Sequence, residues 1–174
     1  MDESELLATL GRLDAQLTTT FDVVIVGGAA MILHFGASRA TRDVDVMVLK
    51  GNVHHLRAAV SRVATEVGLP SDWLNDGAKG FVGVLPPEFR TRLQALEYPL
   101  AHLHLYALGL PDQVVLKIIA LRAQDLEDLE LLLPQLSDAD RKEVVAAMHY
   151  IGNTRPDWAQ RMQYFLEEQG WILA

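Results

Sequence analysis

The chain has 174 residues, 50% of them hydrophobic, and a formal net charge of −8 at pH 7. This length and hydrophobic content suit one well-buried domain, with or without a small helical appendage, and exclude a disordered chain. The acidic balance excludes a general nucleic-acid coat, which needs many Lys and Arg contacts to phosphate, and the absence of cysteine excludes disulfides, thiolate zinc sites and a thiol nucleophile.

The start of the chain and its most apolar segment bear on location. Residues 1–5 are acidic, where a secretory signal is basic. The most apolar segment is interrupted by two glycines and followed by basic residues, so it is too short to span a bilayer. We therefore expect a cytoplasmic protein with no membrane partner. Residues 36–122 contain ten Lys and Arg against eight Asp and Glu, a balance that permits a local anion site.

The first part of the chain predicts alternating helices and strands. Leucines at positions 6, 10, 13 and 17 have helical spacing and predict an amphipathic first helix. A short strand over 23–26 ends at Gly27-Gly28, and a short helix over 29–35 is closed by Gly36. A strand over 43–49 and a helix near 53–66 follow.

The second part predicts strands and then helices. Residues 69–87 have a weak pattern, from which we expect a short helix around Trp73 and a strand over 81–85. Segments 90–98 and 101–108 predict an antiparallel pair of strands. One long helix is expected from Pro111 to Leu133, where Pro134 stops it, followed by helices over 138–151 and 157–169. This order predicts an α/β or α+β head and a helical tail.

Two aspartates one residue apart are the most informative feature. On the strand over 43–49, Asp43 and Asp45 point the same way, about 6.6 Å apart along the strand. Two carboxylates that face one site repel each other unless a cation neutralises them. Magnesium is the expected cation, because it prefers hard oxygen ligands and substrate phosphates complete its shell. The alternative is that this strand face simply lies in water.

The glycine pair lies between an apolar strand and a helix. Gly27 and Gly28 have no side chains, so the backbone N–H groups at this turn are accessible to a phosphate. A Gly-Gly pair after a strand is also common as a plain tight turn. The spacing matches neither the dinucleotide-binding fingerprint nor the P-loop.

Together these residues resemble the nucleotidyltransferase superfamily, most closely the bacterial AbiE-type toxins and minimal nucleotidyltransferases with the pattern GGxAxxxxxGxxRxTxDxD. The matching residues are Gly27, Gly28, Ala30, Gly36, Arg39, Thr41, Asp43 and Asp45. The resemblance implies a small mixed sheet flanked by helices, with a C-terminal helical segment. It also implies that Asp43 and Asp45 bind Mg²⁺ and catalyse nucleotidyl transfer. By the same resemblance, nucleotide is bound by Gly27, Gly28, Arg39 and Thr41.

A lysine in the predicted long helix carries a second part of the resemblance. Lys117 lies in an almost wholly apolar turn, so its ammonium must reach water or meet an anion. In one continuous helix it shares a stripe with Asp125 and Asp128, which is equally typical of a salt-bridge ladder. The related toxins show a similar helix, which implies that Lys117 binds nucleotide phosphate and that Asp125 is a further nucleotide-site residue.

A third carboxylate is expected from the resemblance, since active members carry one on a later strand, where it binds metal and acts as base. Glu97 is the first candidate, because it shares a strand face with Leu93 and Ala95. Asp112 is the second, although its position before a helix is also typical of a cap.

The predicted function is Mg²⁺-dependent transfer of a nucleoside monophosphate from a nucleoside triphosphate to a hydroxyl. The resemblance implies a tRNA or protein acceptor, and a toxin that pairs with an antitoxin. The alternative is a module that binds nucleotide or protein but has lost turnover. We expect residues 1–110 to form the α/β head and residues 111–174 a helical region packed on it as one unit.

Overall fold

The computed structural model describes residues 1–173, which form two compact units. The first comprises Met1–Gly80 and Leu93–Leu108, and the second comprises Phe81–Arg92 and the described residues from Gly109 onward. The head over 1–110 and the helical region over 111–174 stay predictions as domains. The segment Phe81–Arg92, which sequence reasoning assigned to the head, belongs to the second unit.

Helices and strands alternate in the first half of the chain, and helices alone make up the end. In chain order the elements are α1 (Glu3–Gln16), β1 (Phe21–Val26), α2 (Gly27–Leu33), β2 (Val44–Lys50), α3 (Val53–Val67), β3 (Leu74–Asn75), α4 (Lys79–Val82), β4 (Gln94–Leu96), β5 (Leu103–Ala107), α5 (Leu110–Ala120), α6 (Ala123–Leu132), α7 (Asp138–Gly152) and α8 (Pro156–Glu168). Two 3₁₀ segments are Pro87–Arg92 and Leu133–Gln135. Among the described helices, none is long and apolar enough to cross a membrane.

The five strands form one mixed sheet in the first unit, in the order β3-β2-β1-β5-β4. β1 is antiparallel to β2 and parallel to β5, whereas β2 is parallel to β3 and β4 is antiparallel to β5. This mixed sheet with helices confirms the predicted fold class and the antiparallel pairing of two late strands. The strand predicted over 90–98 is shorter than expected, because Pro87–Arg92 is a 3₁₀ segment and β4 covers only Gln94–Leu96.

One face of the sheet packs into a hydrophobic core with α1 and α3. The core contains Leu6, Leu10 and Leu13 of α1, which are at most 1% exposed. Helix α1 begins where its sequence favours it, because Asp2 accepts a hydrogen bond from the Glu5 N–H and Glu5 accepts one from the Asp2 N–H, both at 2.9 Å. This reciprocal cap satisfies two N–H groups that a helix start leaves unpaired.

Asp14 fastens the segment before β5 to helix α1. Its carboxylate accepts hydrogen bonds from the backbone N–H groups of Ala101, His102 and Leu103, at 2.9, 2.7 and 2.8 Å. Burial acts to raise the pKa of Asp14, but the three N–H donors outweigh it and the pKa is lowered. The ionised carboxylate therefore stabilises the entry to β5.

The single helix predicted from Pro111 to Leu133 is wrong, because the chain forms two helices with a break at Leu121. Leu121 has a φ of 47°, the left-handed conformation that ends α5. Asp125 then accepts a hydrogen bond from the Arg122 N–H at 3.0 Å and starts α6. A carboxylate at the third helical position is a start signal that the apolar periodicity conceals.

The weakly patterned segment was also predicted incorrectly. The short helix expected around Trp73 is absent from the described structure, where the strand β3 begins at Leu74. The strand expected over 81–85 is replaced by the end of helix α4. Trp73 is 1% exposed, and its indole N–H donates to the Val60 carbonyl at 3.1 Å. This tertiary packing, rather than local periodicity, determines the conformation here.

Candidate functional site

The Gly27-Gly28 turn lies at the end of β1, where the strand passes directly into α2. Gly27 has a φ of +63°, and a Cβ at this position would lie 3.2 Å from Asp45 Oδ2. A Cβ at Gly28 would lie 2.9 Å from Thr41 Oγ1 and 3.4 Å from Arg39 Nη1. The turn therefore needs glycine twice, because polar side chains from the following segment occupy the adjacent space.

Strand register places Asp45 at this turn. Asp45 pairs with Val26, the last residue of β1, across the antiparallel ladder. Asp43 precedes β2 and is exposed, so the shared face of Asp43 and Asp45 stays a prediction from strand alternation. The Thr41 hydroxyl donates to the Asp43 carbonyl at 3.1 Å, a local bond that fixes the conformation of the segment entering β2.

Five of the predicted site residues thus meet at one end of the sheet. Four are the half-buried residues Gly27, Gly28, Arg39 and Thr41, and the fifth is Asp45, also half-buried. Asp43 lies two residues before Asp45, just outside β2. The turn presents backbone without side chains, an arginine and the Asp45 carboxylate, which are groups suited to phosphate and to a hard cation.

The third predicted carboxylate does not join this group. Leu96 pairs with Leu105, and Leu105 pairs with Val23, so Glu97 is level with the start of β1, whereas Asp45 pairs with its end. The offset of four residues corresponds to about 13 Å along the strand direction. Among residues 1–173, no group of three or more His, Cys, Asp or Glu side chains is placed to hold a metal ion.

Asp112, the second candidate for the third carboxylate, lies in the second unit and is 1% exposed. Its two oxygens accept hydrogen bonds from Arg92 Nε and Nη2, at 2.8 and 2.7 Å. This two-point ion pair accounts for the burial of the carboxylate.

Lys117, Asp125 and Asp128 meet in the second unit despite the helix break. Lys117 Nζ lies 2.8 Å from Asp125 Oδ1 and 2.6 Å from Asp128 Oδ2, and all three residues are at most 4% exposed. Burial acts to raise the pKa of Asp125, but hydrogen bonds from Arg122 and Lys117 outweigh it and lower the pKa. The structure thus brings these residues together as a buried ion cluster joining α5 and α6.

Sequence reasoning missed one residue beside the aspartates. Asn75 of β3 pairs with Asp45 in the parallel ladder, so both side chains lie on the same face of neighbouring strands. The weak pattern of residues 69–87 concealed the strand. The only indication in the sequence was one asparagine after Trp73-Leu74, and no local pattern connects this asparagine with the aspartates.

Comparison with protein families assigns most of the chain to one family. The family described as "Nucleotidyltransferase of unknown function (DUF6036)" matches residues 5–138, which contain the glycine turn, both aspartates and the buried cluster. The chain belongs to this nucleotidyltransferase family. Comparison with curated proteins gives no match.

The family assignment confirms the resemblance to the nucleotidyltransferase superfamily that the glycine and aspartate motif predicts. It supports a nucleotidyltransferase function and a nucleotide substrate in general terms. The closer resemblance to AbiE-type toxins stays a prediction, as do the acceptor and the metal.

Proposed function

We propose that this nucleotidyltransferase moves a nucleoside monophosphate from a nucleoside triphosphate to a hydroxyl group, with Mg²⁺ held by Asp43 and Asp45. The proposal is supported by the approach of Asp45, Thr41 and Arg39 to the Gly27-Gly28 turn, which puts one carboxylate and an arginine beside accessible backbone.

The donor set fits magnesium. Mg²⁺ is usually bound by one or two carboxylates and completed by water and substrate phosphates. Asp45 is half-buried beside the turn and Asp43 is exposed, so these two carboxylates would hold the ion and substrate phosphates would supply further oxygen ligands. Bound Mg²⁺ supplies neutralisation of the charge that develops on the transferred phosphoryl group and on the leaving pyrophosphate.

The residues of the turn bind and orient the triphosphate. Its phosphates lie over Gly27 and Gly28, where the backbone is accessible because no side chain intervenes. Arg39 lies beside Gly28, so its guanidinium is suited to a phosphate oxygen, and Arg42 is exposed next to Asp43. Thr41 keeps the Asp43 backbone in place through its hydroxyl.

The transfer step is an in-line displacement at the α-phosphorus. The acceptor hydroxyl oxygen forms a bond to phosphorus, the bond to the bridging oxygen breaks, and pyrophosphate leaves with the electron pair. The hydroxyl proton passes to water or to an ionised carboxylate. The contribution of Asp43, Asp45 and Arg39 is positioning and electrostatic stabilisation.

The proposed hydroxyl acceptor rests on the resemblance to AbiE-type toxins. We propose a tRNA end or a hydroxyl of a protein, in a toxin that is neutralised by an antitoxin. Lys117 and Asp125 are proposed as nucleotide-site residues on the same basis. Their ion pairs within the second unit supply a competing structural role.

A second candidate function is a nucleotide-binding or protein-binding module without turnover. The observation that favours it is the position of Glu97 at the other end of the sheet, together with the lack of a cluster of three metal-ligating side chains within residues 1–173. Such a protein would bind a triphosphate and transfer nothing.

Label transfer separates the two functions. Wild type, Asp45→Asn and the exposed control Asp72→Asn are incubated with Mg²⁺, each triphosphate labelled at the α-phosphate, and total tRNA or cell lysate. Label on an acceptor with wild type and Asp72→Asn, but not with Asp45→Asn, supports the enzyme. Nucleotide binding without transfer to any acceptor supports the module.

A further inference from the structure

Asn75 lies beside Asp45, on the neighbouring strand β3. The register aligns Val26, Asp45 and Asn75 in one row across β1, β2 and β3. Neighbouring strands are about 4.8 Å apart, so the Asn75 side chain emerges directly beside that of Asp45. The glycine turn lies on one side of Asp45, and Asn75 lies on the other.

The amide of Asn75 has a defined orientation. Its Oδ1 accepts a hydrogen bond from the Gly77 N–H at 3.1 Å, so the oxygen is used within the turn after β3. Among the described residues, Nδ2 makes no hydrogen bond, and the side chain is half-buried. The two N–H donors are therefore available to a ligand that accepts hydrogen bonds.

Asp76, the residue after Asn75, has an ion-pair partner of its own. Asp76 forms a two-point ion pair with Arg57 of α3, with Nη2 to Oδ1 at 2.7 Å and Nη2 to Oδ2 at 2.8 Å. This pair fastens the end of β3 to α3. Asp76 is thus a matched control for Asn75, since it lies one residue away and has its own partner.

We propose that Asn75 binds a substrate hydroxyl, donating from Nδ2 to the hydroxyl oxygen, an inference that rests on the proposed function. With the phosphates over Gly27-Gly28, the part of the substrate on the Asn75 side of Asp45 is the ribose of the nucleotide or the acceptor alcohol. Both present a hydroxyl. An amide does not titrate in the working pH range, so Asn75 positions the hydroxyl and does not serve as base.

The first test measures triphosphate binding and transfer with wild type, Asn75→Ala and Asp76→Asn, all with Mg²⁺. Loss of one hydrogen bond weakens binding by about 3- to 10-fold. A ribose contact weakens ribonucleotide binding in Asn75→Ala and leaves the 2′,3′-dideoxy nucleotide unchanged. An acceptor contact leaves nucleotide affinity unchanged and raises the KM for the acceptor. Asp76→Asn leaves both values as in wild type.

The second test adds a carboxylate. In Asn75→Asp a third hard oxygen ligand stands beside Asp45, so we expect the free protein to bind Mg²⁺ more tightly than wild type in a thermal-shift titration with the metal alone. Unchanged Mg²⁺ binding in Asn75→Asp contradicts the placement of position 75 beside Asp45, on which the inference rests.

Two results overturn the inference in distinguishable ways. If wild type binds triphosphate and Asn75→Ala matches it in both affinity and acceptor KM, or Asn75→Asp binds Mg²⁺ no more tightly, Asn75 has no place in the site and the proposed function stands. If wild type binds no triphosphate at any Mg²⁺ concentration, the proposed function fails and the hydroxyl contact fails with it.

Discussion

At the residue scale, the site depends on the missing side chain of Gly28. The Thr41 hydroxyl and the Arg39 guanidinium both approach the position that a Cβ would take. Gly27 adds a backbone conformation that L side chains rarely adopt. Two adjacent glycines thus allow a threonine, an arginine and an aspartate to approach one turn.

Gly28→Val should lower nucleotide affinity while the protein stays folded. The added side chain meets Thr41 Oγ1 at 2.9 Å and displaces the segment that carries the aspartates. We expect triphosphate affinity, measured by equilibrium binding with Mg²⁺, to fall by at least about tenfold, equivalent to about 1.4 kcal/mol. The control is Gly11→Ala in α1, where no atom lies within 4 Å of an added Cβ. Unchanged affinity in Gly28→Val would remove the turn from the site.

At the element scale, Asp14 links α1 to β5 by three hydrogen bonds from backbone N–H groups. Its pKa in the folded protein is lowered, so its contribution to stability is present above the unfolded pKa of about 3.9 and disappears as the pH falls through the folded pKa.

Asp14→Asn should therefore reduce the free energy of unfolding at pH 7 by about 1–3 kcal/mol, and the difference from wild type should shrink below about pH 4. Urea unfolding across the pH range measures both effects. Exposed Asp72→Asn should stay within about 0.5 kcal/mol of wild type. A constant difference between wild type and Asp14→Asn from pH 7 to pH 3 contradicts this explanation.

The buried cluster of Lys117, Asp125 and Asp128 is the second feature at this scale. Lys117→Met leaves two buried carboxylates without their shared ammonium. Removing one partner of a buried ion pair lowers the free energy of unfolding by about 3–5 kcal/mol, which urea unfolding detects. The exposed control Lys142→Met should change the free energy of unfolding by less than about 0.5 kcal/mol. Unchanged stability with weakened triphosphate binding would instead assign Lys117 to phosphate.

The periodicity of the sequence was sufficient to predict most helices and strands, but not how the strands pair. Gly27, Gly28, Asp43 and Asp45 are close in sequence, so a local motif was sufficient to predict a common site, and the structure brings Gly27, Gly28 and Asp45 together. Glu97 was predicted within a strand over 90–98, but β4 ends at Leu96. Its distance from Asp45 depends on the register of β4, β5 and β1, which no local pattern specifies.

The remaining errors have the same origin. Asn75 joins the site only because β3 pairs with β2, and a two-residue strand has too few positions for a periodic pattern. The break at Leu121 depends on Asp125 accepting the Arg122 N–H. Long-range pairing and side-chain caps override local propensity at both positions.

At the scale of the whole molecule, the sheet unit contains the glycine turn, both aspartates and Asn75, and the helical unit contains the Lys117 cluster. The net charge of −8 opposes general attraction of nucleic acid. An RNA acceptor would therefore be recognised through a local surface, and its binding should depend less steeply on salt than that of a basic RNA-binding protein.

Thermal melting of wild type and of Asp43→Asn/Asp45→Asn tests whether Asp43 and Asp45 form a metal–nucleotide site. Without ligand, the double variant should be at least as stable as wild type, because the repulsion between the carboxylates is removed. With Mg²⁺ and triphosphate at a hundredfold excess over the dissociation constant, wild type should gain about 2.7 kcal/mol and the variant nothing. Equal increases in melting temperature in both proteins, with each of the four triphosphates, would contradict a metal–nucleotide site at these aspartates.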